Sequence, residues 1–245
     1  LAKPELAERH GLVPPRAIVL FGPPGTGKTT FAKGIAGRLG WPFVELFPSR
    51  LAAESAAGLA AALREAFSLI TELDSAVVFV DEVEEIAARR EHQSQSQVPG
   101  VTNEMLKLIP AFREREDRLL VCATNSIRAL DTAFLRHGRF DYLIPVGPPD
   151  AVAREAIWVR YLRTIPHDDL DMQAIVASCD LFTPADIEFA ARKTAQLVFE
   201  RAVFNEAQER ATTEDVLRGI AETRPTLTPE LIQAFEEDIA DHGRA

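Results

Sequence analysis

Cysteine is nearly absent: the 245 residues contain two, Cys122 and Cys179. Two cysteines cannot build a disulfide framework, so each reads as a small core hydrophobe in a reducing compartment. Nor do the five histidines and two cysteines show zinc-ligand spacing. Basic residues are the minority, with Lys+Arg 27 against Asp+Glu 37 and a net charge of −10. That balance argues against a nucleic-acid coat or a polybasic membrane anchor. No run approaches the roughly 18–20 apolar residues of a membrane span, and the N-terminus lacks a signal-peptide pattern. The expected setting is soluble and cytoplasmic. The chain begins at Leu1 rather than Met, which leaves room for segments upstream.

What is present is enough apolar material for a core. The 47% apolar and 26% charged residues, with only 13 glycines, exclude disorder and collagen-like repeats. Short apolar runs recur at Ala17–Phe21, Ala76–Val80 and Leu119–Ala123, with weaker candidates at Phe43–Leu46 and Tyr142–Val146. They do not alternate with polar residues, the pattern of strands buried on both faces of a parallel sheet. Helical stretches lie between them at Thr29–Leu39, Ala57–Leu73 and Gly100–Arg115. This alternation predicts an α/β layered fold over residues 1–149.

After Pro148-Pro149-Asp150 the chain reads as helical throughout, giving a small all-α domain over residues 150–245. Ile187, Ala190, Ala191, Thr194 and Val198 form one buried stripe. Thr183-Pro184-Ala185-Asp186 reads as a helix start, with Thr183 able to cap, Pro184 suited to the first turn and Asp186 able to reach back, and Thr212-Thr213-Glu214-Asp215 opens another helix. A last helix is expected from Pro229 to about Ala240. His92–Gln97 is a low-complexity Gln/Ser patch of loop character.

Gly22-Pro23-Pro24-Gly25-Thr26-Gly27-Lys28-Thr29 satisfies the P-loop pattern between a buried strand and a helix. Its glycines let backbone N–H groups fold around an anion at a helix N-terminus. Lys28 offers a point charge to the β- and γ-phosphates, and Thr29 a hydroxyl to Mg²⁺. The strand Val77–Val80 ends in Asp81-Glu82, at the sheet edge where α/β folds bind ligands. Asp81 is expected to hold the metal, and Glu82 to orient or activate the attacking water. Glu84 and Glu85 read as ordinary solvated acids. The expected nucleotide-binding set is Gly22, Pro23, Pro24, Gly25, Thr26, Gly27, Lys28, Thr29, Thr30 and Asp81, with Thr29 and Asp81 as metal ligands.

These motifs, with Ala123-Thr124-Asn125 and Leu130-Asp131-Thr132-Ala133-Phe134-Leu135-Arg136-His137-Gly138-Arg139-Phe140-Asp141, resemble the AAA clade of the AAA+ ATPases. The resemblance covers nearly the whole chain. Pro4-Glu5 and Gly11–Pro15 are similar to the clade's lead-in, and Arg224–Thr228 to a carboxy-terminal segment of several members. It implies a five-stranded parallel sheet sandwiched by helices, a helical lid, and ATP with Mg²⁺ between the two. The Asn125 strand would lie between the P-loop and Asp-Glu strands, with Asn125 as sensor 1. Arg136 and Arg139 match arginine fingers that act on ATP held by the neighbouring subunit. A ring, commonly a hexamer, coupling hydrolysis to remodelling of a protein partner is the implied activity.

The departures are specific. Ser55 and Ala56 stand where the first pore loop should carry an aromatic and a small residue, and no Phe, Tyr or Trp lies between Phe47 and Phe67. A serine does not replace an aromatic grip, so a nucleotide-dependent assembly scaffold that threads nothing is the alternative. Thr183-Pro184-Ala185-Asp186 replaces a Ser-Gly-Ala-Asp-like lid turn, removing one N–H. No lid arginine is identified as sensor 2, and the upstream Asp-Ile-Gly-Gly-like segment is missing. His137 stands where proline is usual and reads as loop chemistry. Arg89 and Arg90 suit either a second pore loop or a solvated charge pair. Trp41 and Trp158 read as packing residues. A small-molecule P-loop kinase is disfavoured because nothing in it needs the Arg136/Arg139 segment; a DNA-loading relative is disfavoured by the acidic charge.

Overall fold

In a computed structural model of the chain, five short strands pair side by side, all parallel, in the order β2-β3-β4-β1-β5. The structure describes residues 6, 9–55, 58–88, 100–136, 138–204 and 210–243. The strands are β1 (Ala17–Phe21), β2 (Phe43–Leu46), β3 (Ala76–Val80), β4 (Arg118–Thr124) and β5 (Tyr142–Pro145). Every residue of β1, β3 and β4 is buried, as their unbroken apolar runs predict, while the edge strands β2 and β5 are only partly covered. Val19 pairs with Cys122 on one side and Leu143 on the other; Val78 pairs with Leu120.

The helices between the strands are α1 (Lys28–Leu39), α2 (Pro48–Glu54), α3 (Leu59–Ile70), α4 (Glu84–Ala87) and α5 (Gly100–Arg113). In α3 the buried residues Ala62, Leu63, Phe67 and Ile70 recur at helical spacing and define its inner face. Phe67 meets Phe112 of α5 edge-on, 5.8 Å between ring centroids. Helix α3 is shorter than the expected Ala57–Leu73. Gly58 precedes it with φ of +84°, and Thr71 caps its far end. Helix α5 runs through Pro110 but stops at Arg113, before the left-handed turn at Asp117 (φ +56°). The short helices α2 and α4 have too few turns to show a helical period, and neither is legible in the sequence pattern.

Helices α6 (Ala151–Leu162), α7 (Met172–Ala177), α8 (Pro184–Phe204), α9 (Thr213–Ala221) and α10 (Pro229–His242) follow. Their core gathers Trp158, Leu162, Ile175, Ile187, Ala190, Ala191, Val198, Val216 and Ile220. Trp158 is fully buried, its Nε1 donating to Cys179 Sγ at 3.4 Å; both cysteines are buried and unpaired. Caps hold the helix starts. Asp150 and Asp171 accept from Ala153 and Ala174 N–H groups. Thr212 and Asp215 form a reciprocal capping box at α9. Asp186 Oδ2 accepts from both the N–H and the hydroxyl of Thr183, and its carboxylate also takes the N–H and hydroxyl of Thr226.

Contacts divide the chain into two units. One comprises Leu1–Gly22, Lys28–Pro145 and Asp238–Ala245; the other comprises Pro23–Gly27 and Val146–Glu237. None of the described helices is long and apolar enough to cross a membrane.

Candidate nucleotide site

Strand order brings the motifs together. Strands β3, β4 and β1 are consecutive neighbours, so the residues just past their carboxyl ends, Asp81, Asn125 and Gly22, share one edge of the sheet. Adjacent strands lie about 4.8 Å apart, within reach of a lysine at the start of the next helix. Lys28 opens α1 and is 7% exposed. Its Nζ donates to Gly22 O and to Asn125 Oδ1, both at 2.8 Å.

The loop itself has the backbone that its composition demands. Gly25 has φ of +77°, and a Cβ there would come within 2.9 Å of Thr183 Oγ1, so glycine is required twice over. Thr26 folds back, its hydroxyl donating to Pro23 O at 3.0 Å. Gly22 N–H donates to Thr124 O at 3.3 Å, tying the loop's entry to β4. Thr29 is half-buried and Thr30 exposed.

Asp81 and Glu82 leave β3 in opposite styles. Asp81 is half-buried, and its Oδ1 accepts the N–H of Glu82 at 3.0 Å. Burial pushes the Asp81 carboxyl above its ordinary range; the Glu82 N–H and Lys28 oppose this, while Glu84 and Glu45 add to it. Burial likewise lowers Lys28, against the attraction of Asp81 and Glu84. Glu82 is exposed and sits at φ of +48°, a left-handed conformation that few residues other than glycine adopt. Such strain concentrates at functional positions.

Glu84, read from sequence as an ordinary solvated acid, is part of this cluster. Its Oε1 accepts the Asn125 N–H at 3.2 Å, and its Oε2 is buried without a partner among the described residues. The signal that could have found it is the helix start directly after Asp-Glu, which turns one of the next carboxylates back toward the strand end. Glu85 is exposed, as expected of a bland acid.

Among the described residues no group of three or more His, Cys, Asp or Glu side chains is arranged to hold a metal ion. The donors present are the hydroxyl of Thr29 and the carboxylate of Asp81. They are hard oxygens of the kind that suit Mg²⁺ bound through few protein ligands, phosphates and water.

Arg136 and Arg139 lie on a segment entered through Asp131, whose N–H donates to Ala87 O at 2.7 Å and whose carboxylate accepts from Ala133 N. Phe134 is fully buried against Phe140, 5.0 Å between centroids. Arg136 is exposed; Arg139 is half-buried, with Nη1 unpaired among the described residues. Asp141 closes the segment structurally: its Oδ2 accepts from Arg16 and Ala17 N–H groups at 2.8 and 3.0 Å, at the start of β1. Thus Lys28, Asp81, Glu84 and Asn125 converge, while no contact joins Arg136 or Arg139 to them among the described residues. Pro4, Glu5, Ala56, Ala57, Arg89, Arg90, His92–Gln97 and His137 lie outside the described residues. Ser55 is half-buried beside the end of α2.

Residues 18–148, more than half the chain, match the family described as "ATPase family associated with various cellular activities (AAA)". The chain is 30% identical to the Cell division cycle protein 48 homolog of Archaeoglobus fulgidus over 95% of its own length and 33% of that protein. It is 36% identical to the Proteasome-activating nucleotidase of Methanocella arvoryzae over 76% of its length and 46% of the relative. It is also 34% identical to the ATP-dependent zinc metalloprotease FtsH 3 of Sphaerobacter thermophilus, over 82% and 42%. The chain therefore spans between a third and a half of these curated relatives. With the P-loop, Asp-Glu strand end and Asn125 on adjacent strands of one parallel sheet, the chain belongs to the AAA family of ATPases.

Proposed function

We propose that this chain is the ATP-hydrolysing module of a ring-forming protein that uses Mg²⁺-ATP to remodel a protein partner. The single observation carrying the reading is the pair of bonds from Lys28 to Gly22 and Asn125, which unites the P-loop and the Asn125 strand end beside Asp81. Residues 1–149 form the nucleotide-binding part and residues 150–245 a lid in this reading. The names of the relatives, a nucleotidase that activates proteasomes and an ATP-dependent protease among them, support a protein substrate.

In the proposed reaction the P-loop N–H groups and Lys28 bind the phosphates, Lys28 exchanging its present acceptors for phosphate oxygens. Glu82 accepts the hydrogen bond of the attacking water and draws its proton, and Asn125 orients that water. Thr29 and Asp81 would hold Mg²⁺, which when bound neutralises charge on the phosphates. Arg136 and Arg139, separate from the cluster in their own chain, are assigned to the triphosphate of a neighbouring copy. Changing Glu82 to Gln tests the reading directly: ATP binding is retained and turnover is lost. Undiminished turnover would remove Glu82 from the chemistry.

A second reading rests on Ser55. Without an aromatic at that position the ring would serve as a nucleotide-controlled assembly scaffold. Translocation of an unfolded reporter polypeptide by the purified protein would exclude it.

A further inference from the structure

We propose that Arg113 is a positioning residue for the Arg136–Arg139 segment, and so governs hydrolysis of ATP held by the neighbouring copy. The inference rests on the assignment above of those arginines to a neighbour's triphosphate.

The two halves of the segment are held very differently. Its first half is fixed by Asp131 and by buried Phe134. Its second half turns through Gly138 at φ of +89°, and its local backbone bonds, from Arg136 N to Ala133 O and from Arg139 N to Arg136 O, are both long at 3.4 Å. The turn faces an open surface depression lined by Val13, Arg16, Pro110, Arg113, Glu114 and Gly138. Phe140 is buried against Phe134, but Gly138 is exposed, so its carbonyl takes its position from hydrogen bonds.

Arg113 supplies that bond. Its Nη1 donates to Gly138 O, between the two arginines in sequence, and its Nη2 donates to Asp141 Oδ1 at 2.5 Å. Asp141 is itself immobilised by the Arg16 and Ala17 N–H groups at the start of β1. The carbonyl of Arg113 in turn accepts from Arg16 Nη1 at 3.0 Å. The guanidinium is thus a brace running from the sheet to the crest of the segment. Its charge is matched by Asp141, so it is poised to orient rather than to bind phosphate. A planar fork spans two acceptors in fixed directions, which an ammonium does not. Lysine at this position is therefore expected to fail as alanine does.

The test uses mixed assemblies. Arg113→Ala retains ATP binding and loses at least about tenfold in turnover, as a misplaced finger should. Lys28→Ala lacks a working P-loop but keeps its own Arg136–Arg139 segment and brace. Mixed in equal amounts, the two inactive variants regain about a quarter of the parental rate, because half the sites have an intact P-loop and half of those face an intact segment. The companion mixture of Arg136→Ala with Lys28→Ala tests the trans assignment itself. Recovery in that mixture but not in the Arg113→Ala mixture overturns the role of Arg113 and leaves the trans assignment standing. Recovery in neither overturns both. Full activity of Arg113→Ala alone also overturns the proposal. If Arg113→Ala does not bind ATP, Arg113→Lys replaces it with the same outcomes scored.

Discussion

Lys28 Nζ and Asn125 Oδ1 are hydrogen-bonded at 2.8 Å, which joins the lysine proposed to bind phosphate to the residue proposed to position water. Lowering of Lys28 by burial, against the pull of Asp81 and Glu84, adds a reason for it to favour an incoming anion.

Separating the two roles of Asn125 is the first test. Asn125→Ala should leave ATP affinity within about threefold and reduce turnover about 10²–10³-fold, the range for loss of one donor aimed at reacting atoms. Asn125→Asp should weaken ATP binding about tenfold, by pairing with Lys28 and by repelling phosphate. Equilibrium binding of a fluorescent ATP analogue and single-turnover rates read the two effects separately.

Glu84 makes the second prediction. Removing its acceptor by Glu84→Ala frees the backbone at Asn125, and turnover should fall about five- to tenfold, the kinetic equivalent of about 1–1.4 kcal/mol. ATP affinity should change little. Glu84→Gln keeps an acceptor oxygen and should retain most of the rate. A glutamine variant as slow as the alanine one would assign the effect to charge instead.

Glu84 belongs to a class of residue whose role local sequence does not display. The strands β1, β3 and β4 were legible because burial on both faces leaves unbroken apolar runs, and the P-loop because its glycines and lysine are dictated by local backbone chemistry. Asp186 as a reciprocal cap is legible for the same reason, its partner Thr183 being three residues away; the Thr212–Asp215 box is legible only as a helix start. The roles of Glu84, Arg113 and Asp141 are not legible, since each acts across a sequence gap: Glu84 on Asn125, Arg113 on Gly138, Asp141 on the start of β1. For Arg113 nothing nearby in the chain distinguishes it from a solvated charge; for Glu84 the only local sign is the helix start directly after Asp81-Glu82. Short helices such as α2 and α7 have too few turns to display a period.

The helical unit yields a pH-dependent prediction. Burial raises Asp215, but the paired bonds from Arg201 at 2.9 and 2.8 Å and the Thr212 donors outweigh it, and its carboxyl lies below the ordinary value. The folded state therefore favours the carboxylate. The stabilisation is present above the usual carboxylate pKa near 3.8 and is lost as pH falls through the depressed value. Asp215→Asn should melt lower than the parent at pH 7, by about 1–2 kcal/mol for a lost cap and ion pair. The gap should close on acidification toward pH 3. Thermal melts of both proteins across that range check it; a gap that widens in acid would reverse the sign.

The central claim is that hydrolysis is completed where two copies meet. The most direct measurement is ATPase rate per chain against protein concentration, for the parent and for Arg136→Ala. The account predicts a parental rate that rises with concentration to a plateau and a variant rate that stays low throughout. A parental rate that is high and flat down to concentrations where the chain is monomeric, with Arg136→Ala equally active, would contradict it.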